Sequence, residues 1–119
     1  MTKEIDLDEI GDYVKALHCQ IRWEIIEALK SGPKNADQIM EALMPKQEDL
    51  QNNPKDKCKG TCQNGEGRII KKPTLYYHLR ELESVGIIEV AKLRPTEHKR
   101  APEKVWELNL DKLIINFKD

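Results

Sequence analysis

The chain has 119 residues, of which 34% are charged, and a formal net charge of −1. This length suffices for one domain with a modest hydrophobic core. No apolar run has the length of a membrane-spanning helix, and the polar residues 1–6 do not resemble a signal peptide, so we expect a soluble, cytoplasmic protein without a membrane partner. Three cysteines are too few for the disulfide framework of a small secreted protein.

The net charge conceals an uneven distribution. Residues 1–45 contain five Lys or Arg against nine Asp or Glu, whereas residues 46–104 contain thirteen against nine. A basic region within a nearly neutral chain is typical of a surface that binds a polyanion. Local clusters also arise by chance in a chain this rich in charge, so the pattern favours nucleic-acid binding without establishing it.

Three amphipathic helices are predicted before residue 44. Apolar residues recur at helical spacing over residues 7–18, 21–29 and 35–43. Gly32 and the proline after it stop the second helix, and Asn35 is the predicted N-cap of the third.

A long loop is predicted next, because residues 44–72 are polar and rich in Gly, Pro and Asn, with a short strand at residues 68–70. Loops of this length inside a compact domain are uncommon and are usually functional or disordered. The loop carries Cys58 and Cys62 with lysines beside Cys58, and positive charge favours the thiolate form.

Three hypotheses remain open for this cysteine pair. Cys58 and Cys62 could form a reversible disulfide that reshapes the loop. They could supply half of a zinc site, completed by Cys19, a histidine or a partner subunit, because tetrahedral zinc needs four ligands. They could also be inert cysteines.

The helix predicted over residues 73–85 begins at a proline, which suits the first helical position, and ends at Gly86, which suits a left-handed C-cap. Its apolar face consists of Leu75, Leu79, Leu82 and Val85. Its other face carries the hydrogen-bonding residues Thr74, Tyr76, Tyr77 and Arg80. A short helix of this kind fits the DNA major groove, although a purely structural helix explains the leucine stripe equally well.

The segment after Gly86 predicts a basic hairpin and a final helix. A strand is predicted over residues 87–93, a turn over 94–102 and a returning strand over 104–108. The C-terminal helix is predicted over residues 109–118, from the spacing of Leu110, Leu113, Ile114 and Phe117.

This order of helix, glycine, strand and basic hairpin resembles the recognition helix and wing of winged helix-turn-helix regulators, and most closely the ArsR-like family. The family pattern around the helix is Ser-Thr-x-Ser-x-His-Leu-x-x-Leu-x-x-x-Gly-Leu-Val. The matching residues here are Thr74, His78, Leu79, Leu82, Gly86, Ile87 and Ile88. The second helix also matches the family's opening, at Arg22, Ile25, Ile26 and Leu29.

The resemblance implies a mainly α fold with a small β-hairpin. It would be a single winged helix-turn-helix domain over residues 1–119, with residues 44–72 inserted before the recognition helix. That insert departs from the family, in which a turn of a few residues joins these two helices. The third helix would be the positioning helix, and its acidic side chains should then point away from phosphate.

The resemblance also implies a homodimeric, sequence-specific regulator of transcription that binds double-stranded DNA. The residues expected to enter the major groove are Thr74, Tyr76, Tyr77 and Arg80. Those expected to contact phosphates, partly from the wing tip, are Lys71, Lys72, Arg94, His98, Lys99 and Arg100. The helices over residues 1–18 and 109–118 would form the dimer interface, and His78 should pack against a neighbouring helix.

The sequence contains no phosphate-binding glycine-rich loop and no Gly-x-Ser-x-Gly motif, so we expect no enzyme. The metal-ligand patterns of ArsR-like metal sensors are not present either, and no cofactor is expected apart from the zinc alternative. The alternative function is a winged-helix protein-interaction module without DNA binding, which the net acidity and the long insert both allow.

Overall fold

The computed structural model describes residues 1–52, 70–95 and 102–118, and the side chains of residues 46–52 are not described. This part of the chain forms a mixed α/β fold. The helices are α1 (Ile10–Leu17), α2 (Gln20–Leu29), α3 (Ala36–Asn52) and α4 (Lys72–Ser84), and a 3₁₀ turn (Leu7–Glu9) precedes α1. The strands are β1 (Thr2–Asp6), β2 (Lys34–Asn35), β3 (Ile88–Arg94), β4 (Glu103–Leu108) and β5 (Lys112–Asn116). None of the described helices is long and apolar enough to cross a membrane.

The predicted cap of the third helix is confirmed. The side-chain Oδ1 of Asn35 accepts a hydrogen bond from the N–H of Gln38 at 2.8 Å, and Oε1 of Gln38 accepts one from the N–H of Asn35 at 2.9 Å. This reciprocal pair is a capping box, which satisfies two backbone donors at the start of α3.

The end of this helix was predicted wrongly. α3 continues through Pro45 to Asn52, so residues 44–52 are helical and not part of a loop. Proline lacks one backbone donor and disfavours a helix interior, but the residues on both sides continue the helix here. The predicted strand at residues 68–70 lies outside the described residues except for Ile70, which is buried but belongs to no strand.

The predicted glycine stop of the fourth helix is confirmed. Gly86 has a φ of 78°, in the left-handed region that favours glycine. Its N–H donates to the carbonyl of Glu83, and the N–H of Ile87 donates to the carbonyl of Leu82 at 3.1 Å. This pair of bonds is a Schellman motif, which satisfies the last helical carbonyls and turns the chain directly into β3.

The predicted hairpin forms part of a three-stranded sheet with the order β2-β4-β3. β3 and β4 are antiparallel from Ile88 opposite Leu108 to Arg94 opposite Glu103, with an irregularity between Val90 and Lys92. The short strand β2 pairs with β4 just before α3 begins. The sheet therefore joins the start of α3 to the two strands that follow α4.

The C-terminal helix predicted over residues 109–118 is wrong, because this segment contains strand β5. The backbone N–H groups that would begin such a helix are used elsewhere. Those of Asn109 and Leu110 donate to the carbonyl of Ile87, and that of Asp111 donates to the carbonyl of Met1. β5 then pairs with β1 in a separate two-stranded parallel sheet.

One hydrophobic core joins the four helices to the three-stranded sheet. Its central members are fully buried residues of α2, α3 and α4, with Trp106 from β4. They include Ile21, Ile25, Ile39, Leu43, Leu75, Leu79 and Leu82. The apolar stripe of the helix predicted over residues 73–85 is therefore anchored in the core, and the opposite face of α4 is left for solvent.

Candidate nucleic-acid interface

The exposed face of α4 carries two of the predicted groove residues. Tyr76 and Arg80 lie four residues apart and are both exposed, Tyr76 at 39% of its full area. Side chains at this spacing are neighbours on one helical face. Thr74 is half-buried. Arginine and tyrosine together offer a planar donor and a hydroxyl, which suit base edges and phosphates.

Tyr77 faces the protein interior more than Tyr76 and Arg80 do. It is half-buried, and the centre of its ring lies 5.5 Å from the guanidinium carbon of Arg22. The ring also meets His78 edge-on at 5.5 Å. A cation over an aromatic ring is an attractive arrangement, so the ring of Tyr77 covers a buried charge.

His78 packs against the neighbouring helix, as predicted. It is fully buried on α4, and its Nδ1 accepts a hydrogen bond of 3.0 Å from Nε of Arg22 on α2. Arg22 is 1% exposed and also donates through Nη1 to the carbonyls of Lys15 and Ala16, at 3.1 Å each. The guanidinium therefore links α1, α2 and α4. The motif resemblance to the ArsR-like family included Arg22 without indicating this role.

The start of α4 carries two lysines in different environments. Lys71 is the exposed N-cap residue and makes no side-chain cap. Lys72 forms an ion pair with Asp37 of α3 at 2.5 Å, and this hydrogen bond raises the pKa of Lys72. Asp37 of α3 therefore contacts one of the predicted phosphate-binding residues, whereas the resemblance implies that the acids of the third helix point away from phosphate. The two residues are 35 positions apart, and no local sequence pattern reveals such a pair.

The β3–β4 hairpin, which is the predicted wing, contains a similar charge pair. Arg94, a predicted phosphate contact, donates to Glu103 over 2.9 Å across the β3–β4 ladder. The arginine side chain is 53% exposed and the glutamate side chain 11%, so the glutamate is much more buried than the arginine. Arg94 retains exposed donors, but its charge is partly compensated within the protein.

Two glutamates face each other nearer the base of the same ladder. Glu89 and Glu107 are directly opposite residues, and a hydrogen bond with Glu89 raises the pKa of Glu107. Like charges at opposite positions repel, and a shared proton relieves this repulsion. The spacing of the predicted strands did not define the register, so this pair was not found from the sequence.

Several predicted site residues lie outside the described residues. They are His98, Lys99 and Arg100 of the predicted wing tip, and Cys58 and Cys62 of the predicted insert. Cys19 is described: it is fully buried at the N-cap of α2 and is disulfide-bonded. A disulfide sulfur does not bind zinc as a thiolate does, so the zinc alternative cannot use Cys19 in this state.

No site with metal-ligand character beyond an exposed acidic cluster is found in the described residues. Carboxylate oxygens of Asp6, Asp8 and Glu9 lie within 4.8 Å of one another at the start of the 3₁₀ turn, and all three residues are exposed. Asp6 and Glu9 form the capping box of this turn, which accounts for two of the three positions.

The chain matches no protein-family model and no curated protein sequence. The resemblance to ArsR-like regulators therefore depends on the residues quoted for it.

Proposed function

We propose that this protein is a winged helix-turn-helix regulator of transcription that binds specific double-stranded DNA as a homodimer in the cytoplasm. The observation that carries the proposal is the division of α4 into two faces. Leu75, His78, Leu79 and Leu82 are buried, while Tyr76 and Arg80 are exposed on the other side. A rigidly anchored helix with exposed hydrogen-bonding side chains has the form of a major-groove reading element.

The elements around α4 support the same proposal. α3 contacts α4 within the core, and α4 leads through Gly86 into the β3–β4 hairpin. In a winged domain these elements would be the positioning helix and the wing. Lys71 would contact phosphate beside the amino end of α4, where free backbone amides and the helix dipole favour anions. The proposal assigns no catalytic role and requires no cofactor.

The proposal is tested by selecting binding sites from random duplexes. Affinities are then measured for the selected site and a scrambled duplex. Arg80→Ala is expected to weaken the selected site at least about tenfold and the scrambled duplex less, because a bidentate base contact discriminates between sequences. The control is Lys30→Ala, which removes an exposed cation that is paired with Glu27 on α2; it should leave both affinities unchanged.

The other possible results of the Arg80→Ala experiment distinguish a base contact from a phosphate contact. An equal loss of affinity for both duplexes would show that Arg80 contacts phosphate and that other residues determine sequence specificity. If no sequence is enriched by the selection, the proposal is wrong. A separate measurement addresses the wing tip: Lys99→Ala combined with Arg100→Ala should reduce the slope of log affinity against log salt by up to about 2. If this salt slope is unchanged, Lys99 and Arg100 do not contact DNA phosphates.

A protein-interaction module is the second candidate function. The charge pairs Lys72–Asp37 and Arg94–Glu103 favour it, because they compensate two of the predicted phosphate-binding cations within the chain. Binding to mixed-sequence duplex at low salt separates the two functions. A module that does not use DNA should show no salt-dependent binding at all.

A further inference from the structure

The outer edge of β5 has no strand beside it in the described part of the chain. β5 pairs with β1 alone, in register from Thr2 opposite Lys112 to Asp6 opposite Asn116. A two-stranded sheet is marginally stable by itself, and parallel strands are normally covered on both faces. Proteins usually protect such an edge with a charge, a proline or a bulge. The middle of β5, Leu113-Ile114-Ile115, has none of these.

One face of β5 lines an apolar groove. Leu113 and Ile115 form one side of a groove of about 250 Å³, and α1 forms the other. The lining residues from α1 and its C-cap are Ile10, Tyr13, Val14, Leu17 and His18. Val14, which lines this groove, is 54% exposed, and Ile114 and Phe117 are exposed at 38% and 74%. Ile114 alternates with Leu113 and Ile115 along the strand, so its side chain lies on the opposite face of β5. This end of the molecule therefore presents an uncovered apolar surface next to an open strand edge.

We propose that a second copy of this chain pairs with β5 through the same strand, in antiparallel orientation about a two-fold axis at Ile114. Leu113 then lies opposite Ile115 of the second copy, and Lys112 lies opposite Asn116. The two sheets become one four-stranded sheet, and the two grooves become neighbours on one face. The inference rests on the homodimer of the proposed function and identifies its interface.

The charges of the two edge strands favour β5 over β1 for this pairing. In an antiparallel pair of identical strands related by a two-fold axis perpendicular to the sheet, one residue lies opposite the same residue of the second copy. The register is said to be centred on that residue. For β1, centring on Lys3 places two lysines opposite each other, and centring on Glu4 places two glutamates opposite each other. Centring on Ile5 places Glu4 opposite Asp6. Each register therefore puts like charges together, which destabilises a sheet.

β5 has no such conflict. Its only charged residue is Lys112, and registers centred on Leu113 or Ile114 do not place it opposite another charge. The register at Ile114 pairs all five residues and three apolar positions. β5 is therefore self-complementary where β1 is self-repelling, which is why the proposed occupant is a second copy rather than an unrelated strand.

The test is the oligomeric state in solution, measured by sedimentation equilibrium without DNA. Wild-type protein is expected to be dimeric at about 100 μM. Ile114→Lys places two lysines opposite each other and should raise the dimer dissociation constant at least about tenfold. The matched control is Leu93→Lys, because Leu93 is also exposed on an edge strand, β3. This control should remain dimeric.

A charge-reversal pair tests the register itself. Ile114→Lys and Ile114→Glu should each be weakly dimeric alone, and an equimolar mixture should form a heterodimer, since residue 114 faces its own counterpart. Circular dichroism checks that both variants are folded. If either is unfolded, hydrogen exchange of the wild-type protein replaces it: the outward-facing amides of β5 should be more protected at high protein concentration than at low.

Four results would contradict the proposed β5 interface. A monomeric wild type, dimers unaffected at residue 114, no rescue in the mixture or concentration-independent exchange would each overturn the interface. If the protein is a monomer, the outer edge of β5 would be available to a strand of a different protein, or the groove to a small apolar ligand. A dimer that depends on Ile114 but binds no DNA would contradict the proposed regulator and leave the interface intact.

Discussion

Arg22 donates a hydrogen bond from Nε to Nδ1 of His78 in the middle of the core, over 3.0 Å. Nδ1 must therefore carry a lone pair, which places the proton of a neutral imidazole on Nε2. No carboxylate pairs with the guanidinium among the described residues. Its charge is instead stabilised by the carbonyls of Lys15 and Ala16, near the negative end of the α1 dipole. This contact orients α4 relative to the first two helices.

The first prediction concerns this hydrogen bond. His78→Leu should lower the free energy of unfolding by about 2–3 kcal/mol, because it leaves a buried charged donor without its acceptor. The double variant His78→Leu/Arg22→Met should lose less free energy of unfolding than the two single variants lose in sum. The difference should be about 1 kcal/mol or more. Urea unfolding of the four proteins measures this coupling. Additive losses would show that the two side chains stabilise the fold independently.

The second prediction concerns the ion pair between Asp37 and Lys72. Asp37→Asn should tighten binding to duplex DNA and raise the salt slope by about 1, since it frees the ammonium group of Lys72 for a phosphate. Fluorescence anisotropy over a range of salt concentrations measures both quantities. The control Asp12→Asn removes an exposed acid from α1 and should have little effect. Weaker binding by Asp37→Asn would instead indicate that Asp37 positions the lysine for DNA.

The third prediction is a pH dependence of stability. The pKa of Glu107 is raised in the folded protein by its hydrogen bond with Glu89, so the folded state holds this proton more tightly than the unfolded chain does. The stabilisation is present below the ordinary pKa of 4.5 and is lost as pH rises through the raised pKa of the folded state. Between these values, the contribution of this pair to stability should therefore fall as pH increases.

Glu107→Gln isolates that contribution. Glutamine keeps a donor toward Glu89 and removes the second negative charge, so the variant should gain stability relative to wild type as pH rises above the ordinary carboxyl range. Thermal unfolding from about pH 4 to pH 7 provides the comparison. The control Glu83→Gln removes an exposed acid from α4. A difference between wild type and Glu107→Gln that does not change with pH would contradict the shared proton.

The fourth prediction concerns Cys19. Because Cys19 is disulfide-bonded, alkylation of the denatured, non-reduced protein should leave the peptide containing Cys19 unmodified. Reduction before alkylation should modify all three cysteines of the chain. Peptide mapping distinguishes this result from a disulfide confined to the Cys58–Cys62 pair. Modification of Cys19 without a reductant would refute the bond.

Much of the fold follows from local patterns in the sequence. The apolar spacing predicted the existence of the four helices, although residues 2–6 of the predicted N-terminal helix form β1 and α3 extends beyond its predicted end. The Asn35 cap and the Gly86 stop were located to the residue. These features depend on contacts between residues a few positions apart, such as a side chain bonding to the next turn or a glycine adopting positive φ. The hairpin after α4 was also predicted, because alternation and a turn signal define it locally.

The tertiary structure decided the features that depend on distant partners. The segment at residues 109–118 has helical spacing, yet it forms β5 because Ile87, Met1 and β1 take up its backbone hydrogen bonds. The pairs Arg22–His78 and Lys72–Asp37 likewise join residues 56 and 35 positions apart. Hydrogen bonds and ion pairs of this kind have no periodicity along the chain, and only packing brings their partners together. The sequence therefore predicted which face of α4 is buried, whereas the fold decided which cations beside it remain unpaired.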